Sequence, residues 1–237
     1  MAMAIHNAIF ALLASSFLVA FSSAHDFVRF GYNDGSTGPK NWGSLSPEFS
    51  LCTKGSNQSP INIVKDDAVY NAKLGSLLRD YVATNATLIN NGFNVGLRFD
   101  GEAGTLVVGG KNYTFRAILW HSPSEHTFDG ERFPVELQLI HTNSDGAVAV
   151  VAVLYQYGSP DPFLFRLKDK LAELAQVSCS EDEEAQVSVR ELTKEQANLI
   201  TAPLPAEYKN NSRPTQPLNG RTVEFFDEAR YYGSKSH

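Results

Sequence analysis

The stretch WHSPSEHTFDGERFPVELQLIH, residues 120–141, decides the fold. It joins the end of one strand-like run, 113–121, to the start of another, 135–141, across a loop rich in Ser, Pro, Asp and Gly. Successive side chains on a strand point to opposite faces, so residues two apart share one. On this alternation Tyr113, Phe115, Ala117, Leu119 and His121 are expected on one face of the first strand. Glu136, Gln138 and Ile140 are expected on one face of the second.

Outward from there, β-branched and aromatic runs at 93–99 and 147–155 alternate with turn signals at Asn90-Asn91-Gly92, Asp100-Gly101 and Asp145-Gly146. The 147–155 run is apolar on both faces and predicts a central strand. Residues 25–60, rich in Gly, Pro, Ser and Asn, read as an irregular arm. Asp161 and Pro162 open a helix with Leu164, Leu167, Leu171 and Leu174 on one stripe, and Thr193-Lys194-Glu195-Gln196 is a capping-box opening for a second. The acidic run 181–184 between them reads as a solvated loop. The expectation is one mostly β domain with a few helices, residues 25–237.

Residues 1–24 contain no Lys, Arg, Asp or Glu, and Ser22-Ser23-Ala24 sets small residues before His25-Asp26. This is the pattern of a secretory signal peptide cleaved after Ala24. The remaining 213 residues carry the whole net charge of −6, which argues against nucleic-acid partners. No later apolar stretch approaches the roughly 18–20 residues that span a bilayer, so no membrane partner is expected. Zinc-finger, P-loop and coiled-coil readings fall for want of cysteines, phosphate-loop glycines and heptads. Sequons at Asn85, Asn112 and Asn210 fit a secreted glycoprotein. In an oxidising compartment Cys52 and Cys179 read as one disulfide, worth on the order of 4–5 kcal/mol in the chain-entropy model, or else as two buried thiols.

The 120–141 string resembles the core of the α-type carbonic anhydrases, particularly the plant branch. NWG at 41–43, QSPINI at 58–63, DPF at 161–163 and SRPTQPLNGR at 212–221 resemble further family landmarks in the family's order. The resemblance implies a large, mainly antiparallel central sheet, one wall segment of which is missing here, and a Cys52–Cys179 pairing. The leader at residues 1–24 sets the expected location as the extracellular space or apoplast, by the secretory pathway. In the family, two histidines two residues apart on one strand and a third on its neighbour hold zinc and leave the fourth position to water. The metal lowers that water's pKa to about 7 and makes the hydroxide that attacks CO₂.

At the three positions this resemblance assigns to ligands, the chain has Leu119, His121 and Gln138. Leu has no donor atom, and an amide oxygen is a poor zinc ligand. Ala117 stands where the family usually has a Gln that orients a ligand, and Phe93 where many active members have a proton-shuttling His. Glu125, His126, Glu136 and His141 are retained. The family's Thr-Thr-Pro-Pro wall is absent between the two helices, a shortfall on the order of 30 residues, enough for two or more strands. The expected site therefore has His121, Gln138 and Glu125 as catalytic candidates, with Leu119, Phe93, Ala117 and Glu136 lining it. It needs no cofactor, and zinc enters only if other groups rebuild a site.

Three functions follow from that set. The favoured one is metal-independent acid/base chemistry on a small organic substrate, a condensation or lyase step such as plant relatives supply in alkaloid assembly. The others are a non-catalytic storage or binding protein and residual zinc-dependent CO₂ hydration.

Overall fold

The computed structural model describes residues 29–175, 190–227 and 230. The expected leader, the acidic run and Cys179 lie outside the described residues. Eight strands form one sheet: β1 (Leu78–Tyr81), β2 (Ala86–Asn90), β3 (Val95–Phe99), β4 (Gly104–Val108), β5 (Lys111–His121), β6 (Val135–Thr142), β7 (Val148–Tyr157) and β8 (Arg190–Leu192). Their spatial order is β8-β7-β6-β5-β3-β2, with β4 also pairing β5 and β1 pairing β4. All these pairings are antiparallel except β7 with β8. The mostly β architecture is as the sequence implies.

One face of the sheet carries the core. Val95 and Leu97, Ile118 and Trp120, Leu137 and Leu139, and Val153 and Tyr155 are all buried. Against them lie α1 (Pro162–Leu174), which buries Phe163, Leu164, Leu167, Leu171 and Leu174, and α2 (Lys194–Thr201). The opposite face of the same strands carries Gly96, Leu119, His121, Glu136 and Gln138.

The expected alternation fails at one point. β5 and β6 slip register between Ile140 and His141, so Ile140 pairs with Ala117 but His141 pairs with Phe115. Arg116 is the extra residue of this bulge; it is exposed and its Nε donates to Thr142 Oγ1 at 3.1 Å. A bulge moves every side chain beyond it to the other face. Phe115 therefore joins the core and stacks on buried His141, ring centroids 4.8 Å apart, while Ala117, Leu119 and His121 stay together.

Two more expectations are corrected. β7 is interior only in part: among the described residues β8 covers Tyr155–Tyr157 alone, and Val148 and Val150 are 61% and 47% exposed. β3 begins at Val95, because Asn91 Oδ1 accepts the backbone N–H groups of Phe93 and Asn94 and turns the chain there. The 25–60 arm contains four short helical turns over its described residues, from Pro39 to Lys54. Among the described residues no helix is long and apolar enough to cross a membrane.

The two helices share one clasp. Asp161 caps α1, its Oδ1 accepting from Phe163 N and Leu164 N at 2.7 and 2.8 Å. Gln196 closes the capping box of α2 and reaches back, its Oε1 accepting from both Thr193 N and Asp161 N while its Nε2 donates to Asp161 O. Gln196→Ala is expected to strand these buried groups and cost roughly 2–3 kcal/mol in chemical denaturation. A loss under about 0.5 kcal/mol, ordinary for a surface position, would mean the clasp holds nothing.

Candidate functional site

β5 and β6 bring the expected residues together. Leu119 lies directly opposite Gln138, and His121 opposite Glu136. β3 completes the floor, with Gly96 opposite Leu119. A Cβ built on Gly96 would sit 2.7 Å from Leu119 Cδ2 and 2.5 Å from Ile118 O, so the glycine is what lets Leu119 lie across β3.

The loop between β5 and β6 is pinned by Ser124, which is fully buried. Its N–H donates to Phe133 O, its Oγ donates to His126 O and accepts from Phe133 N, and its carbonyl accepts from Arg132. Within that loop the strands Thr127–Phe128 and Glu131–Arg132 turn through Asp129 and Gly130, both at positive φ (49° and 84°). That is the two-residue hairpin geometry that Asp-Gly favours.

Under this loop sits Glu136, with no solvent exposure. Its Oε2 accepts from Glu125 N at 2.9 Å and His126 N at 2.7 Å; its Oε1 accepts from His126 Nδ1 at 2.8 Å and Gln138 Nε2 at 2.9 Å. Gln138 Nε2 also donates to Glu125 Oε2 at 3.0 Å. Carboxylates only accept, so the amide nitrogen must face them and Gln138 Oε1 faces away. Glu125 Oε1 accepts from Arg213 N at 3.0 Å.

His121 is oriented from the other side. Its Nδ1 donates to Asn211 O at 2.6 Å, which leaves Nε2 as the acceptor of the neutral ring, 3.8 Å from Glu125 Oε2. Its side chain is 7% exposed and that of Glu125 15%. Asn211 is buried and holds more than the imidazole: its Oδ1 accepts from Ser122 N, and its Nδ2 donates to Phe93 O and Trp120 O. In the sequence Asn211 is only the middle residue of the Asn210 sequon, and Arg213 only part of the SRPTQPLNGR string. An Asn that clamps a strand 90 residues away leaves no local signal.

The other expected residues fall as follows. Ala117 is buried beside Ile140 and Arg98. Phe93 leaves the sheet and packs edge-on against Phe30, ring centroids 4.9 Å apart, in a cluster with Tyr32, Trp42 and Tyr208. Cys52 lies in the helical turn Leu51–Lys54, and its expected partner Cys179 is outside the described residues. Asn85, Asn112 and Asn210 are all exposed.

The profile of the eukaryotic-type carbonic anhydrases matches residues 37–202. The chain belongs to that family. Dioscorin DB3L of Dioscorea polystachya is 32% identical over 252 residues, covering 91% of this chain and 93% of the relative. Alpha carbonic anhydrase 7 of Arabidopsis thaliana is 32% identical over 259 residues, covering 92% and 94%. Among solved structures, a dioscorin complexed with ascorbate superposes with a TM-score of 0.77 at 33% identity, over 82% of this chain and 96% of that one. The α-carbonic anhydrase of Thermovibrio ammonificans, bound to sulfanilamide, gives 0.68 at 27%, over 84% and 99%.

This carbonic anhydrase family normally uses zinc, and the donor chemistry here does not fit it. Leu119 offers no donor, and Gln138 spends its nitrogen on two carboxylates. Of the three positions, one imidazole remains, too few for a three-ligand site.

Around that imidazole, charge is closely paired. Burial alone would lower the pKa of His126, but the hydrogen bond and charge of Glu136, with the charge of Glu125, outweigh it and hold the ring above its ordinary 6.5. Burial alone would raise Glu136, but the hydrogen bond and charge of His126 and the donors around it hold the carboxyl below its ordinary 4.5. Stabilisation from His126 is thus fully present below 6.5 and lost as pH rises through its raised pKa; that from Glu136 is present above 4.5 and lost as pH falls through its lowered pKa. Calorimetry from about pH 6 to about pH 9 should show a larger fall in Tm for the wild type than for His126→Gln. Parallel curves would refute the pairing. Gln138→Ala, which takes one donor from each carboxylate, is expected to cost about 2 kcal/mol in denaturant unfolding.

Proposed function

We propose that this chain is a secreted carbonic anhydrase-like protein whose site performs metal-independent acid/base chemistry on a small organic substrate. The reaction is a condensation or lyase step of the kind found in plant specialised metabolism, alkaloid assembly included. The observation that carries this reading is His121: a nearly buried imidazole with its tautomer set by Asn211 and its basic nitrogen turned towards Glu125. In this reading Nε2 takes a proton from the substrate, the resulting imidazolium faces the Glu125 carboxylate, and the proton returns to the product. Gln138 Oε1 orients the substrate, and Leu119 offers it an apolar surface. Retention of Glu125, His126 and Glu136 around altered face positions supports retuning of the site. The apolar, charge-free residues 1–24 support secretion.

A second reading, a storage or binding protein without turnover, draws support from the likeness to dioscorin, one of which was solved with ascorbate bound. Metal analysis of chelator-free protein is expected to find well under one zinc per chain, and CO₂ hydration should stay at background. Stoichiometric zinc or measurable hydration would overturn the site reading. Incubated with plant extract and followed by untargeted metabolite profiling, the wild type should convert a metabolite that His121→Ala leaves untouched. Retention of a metabolite by both proteins without conversion would establish the binding reading instead.

A further inference from the structure

We propose that His121, Glu125 and Gln138 form a receptor for a primary ammonium group, so that the ligand of this face is an amine bound as its cation. The inference rests on the functional reading above for placing the ligand at this face, and it names that ligand's chemical class.

All three groups present acceptors. His121 Nε2 is one because the Nδ1 proton goes to Asn211 O. Gln138 Oε1 is one because both protons of its amide face Glu125 and Glu136. Glu125 Oε2 is the third. The separation of His121 Nε2 from Glu125 Oε2, 3.8 Å, is too long for a direct hydrogen bond, and no donor among the described residues reaches Nε2. A single nitrogen about 2.9 Å from each atom spans that gap and donates to both. An ammonium so placed keeps a third N–H to donate to a further acceptor.

The charge balance agrees. Glu125 receives neutral donors only, Arg213 N and Gln138 Nε2. The side chains of Arg213 and His126 are committed elsewhere. Arg213 sends its guanidinium to Gln58 Oε1, Ser59 O and Cys52 O, over the Trp42 ring at 5.5 Å. His126 is bound to Glu136. A cation entering beside Glu125 meets a carboxylate held by neutral donors alone, whereas a carboxylate or bicarbonate there would meet the Glu125 charge and the acceptor Nε2 of His121. Half-buried Leu119, opposite Gln138, gives the alkyl part of an amine an apolar neighbour.

The test is an NMR titration of isotope-labelled full-length protein near neutral pH and at constant ionic strength, read at the His121 ring. Propylammonium should give a saturable shift. Tetramethylammonium, with equal charge but no N–H, should bind at least about tenfold more weakly, since a site built to accept hydrogen bonds rejects an analogue lacking them. Acetate should give no shift. Glu125→Gln should weaken propylammonium by at least about tenfold; if that variant does not fold, the ligand series on the wild type decides. Equal binding of the two cations, binding of acetate, or an unmoved His121 ring would overturn the proposal. Propylammonium binding without His121-dependent turnover would sustain it and remove the acid/base reading. His121-dependent turnover of an anionic or neutral substrate would do the reverse.

Discussion

A carboxylate taken wholly out of water costs several kcal/mol unless hydrogen bonds replace its solvent, and Glu136 is such a group. Four N–H donors from three residues converge on it. Two are backbone groups of the β5–β6 loop, so the carboxylate fixes where Glu125 and His126 leave the sheet. A third is the His126 ring, and the fourth is Gln138. The loop cannot move without uncovering Glu136, and Glu136 cannot lose a donor without becoming a partly unsatisfied buried charge.

This constraint explains which changes at the site are compatible with the fold. Position 138 must offer an N–H to Glu136, and an amide does so as an imidazole N–H would. Gln can thus replace a histidine here while leaving the buried carboxylate satisfied. At 119 no such obligation exists: the side chain lies over Gly96, where space has been left by the absent Cβ, and an apolar group fills it. His121 keeps its imidazole under a third influence, the Asn211 carbonyl arriving from the chain's distal segment. Three neighbouring positions therefore answer to three different partners.

Much of the fold was legible because it rests on local chemistry: period-two alternation along β5 and β6, the Asp161-Pro162 cap, and the Thr193–Gln196 capping box. The bulge at Arg116 was not, since nothing in Tyr-Thr-Phe-Arg-Ala marks which residue leaves the ladder; the choice follows from Phe115 stacking on His141, a contact made across strands. The open edge of β7 was equally hidden, because an apolar strand reads alike whether or not a neighbour covers it. At the site, the residues on β5 and β6 were found by spacing together with family likeness. Asn211 escaped because its four roles, to His121, Ser122, Phe93 and Trp120, are all long-range.

The bulge also bears on how the site is insulated from the core. Without it, Phe115 would follow Ala117 and Leu119 on the same face, and His141 would meet a different neighbour. With it, Phe115 turns to the core face, where the alternation of β6 already sets His141, opposite the face that carries His121. His141 goes to the core, where Tyr81 Oη donates to its Nε2 at 2.9 Å and its Nδ1 donates to Ala149 O at 3.3 Å, so the neutral ring is satisfied at both nitrogens. Burial holds the His141 pKa below its ordinary value and pushes the Tyr81 phenol up to about 12, which keeps that pair neutral. His121 on the other face has one nitrogen satisfied and one free of any donor among the described residues. The same residue type is thus closed to chemistry in one setting and open to it in the other; the alternation of β6 sends His141 to the core face, and the bulge in β5 brings Phe115 there to stack on it.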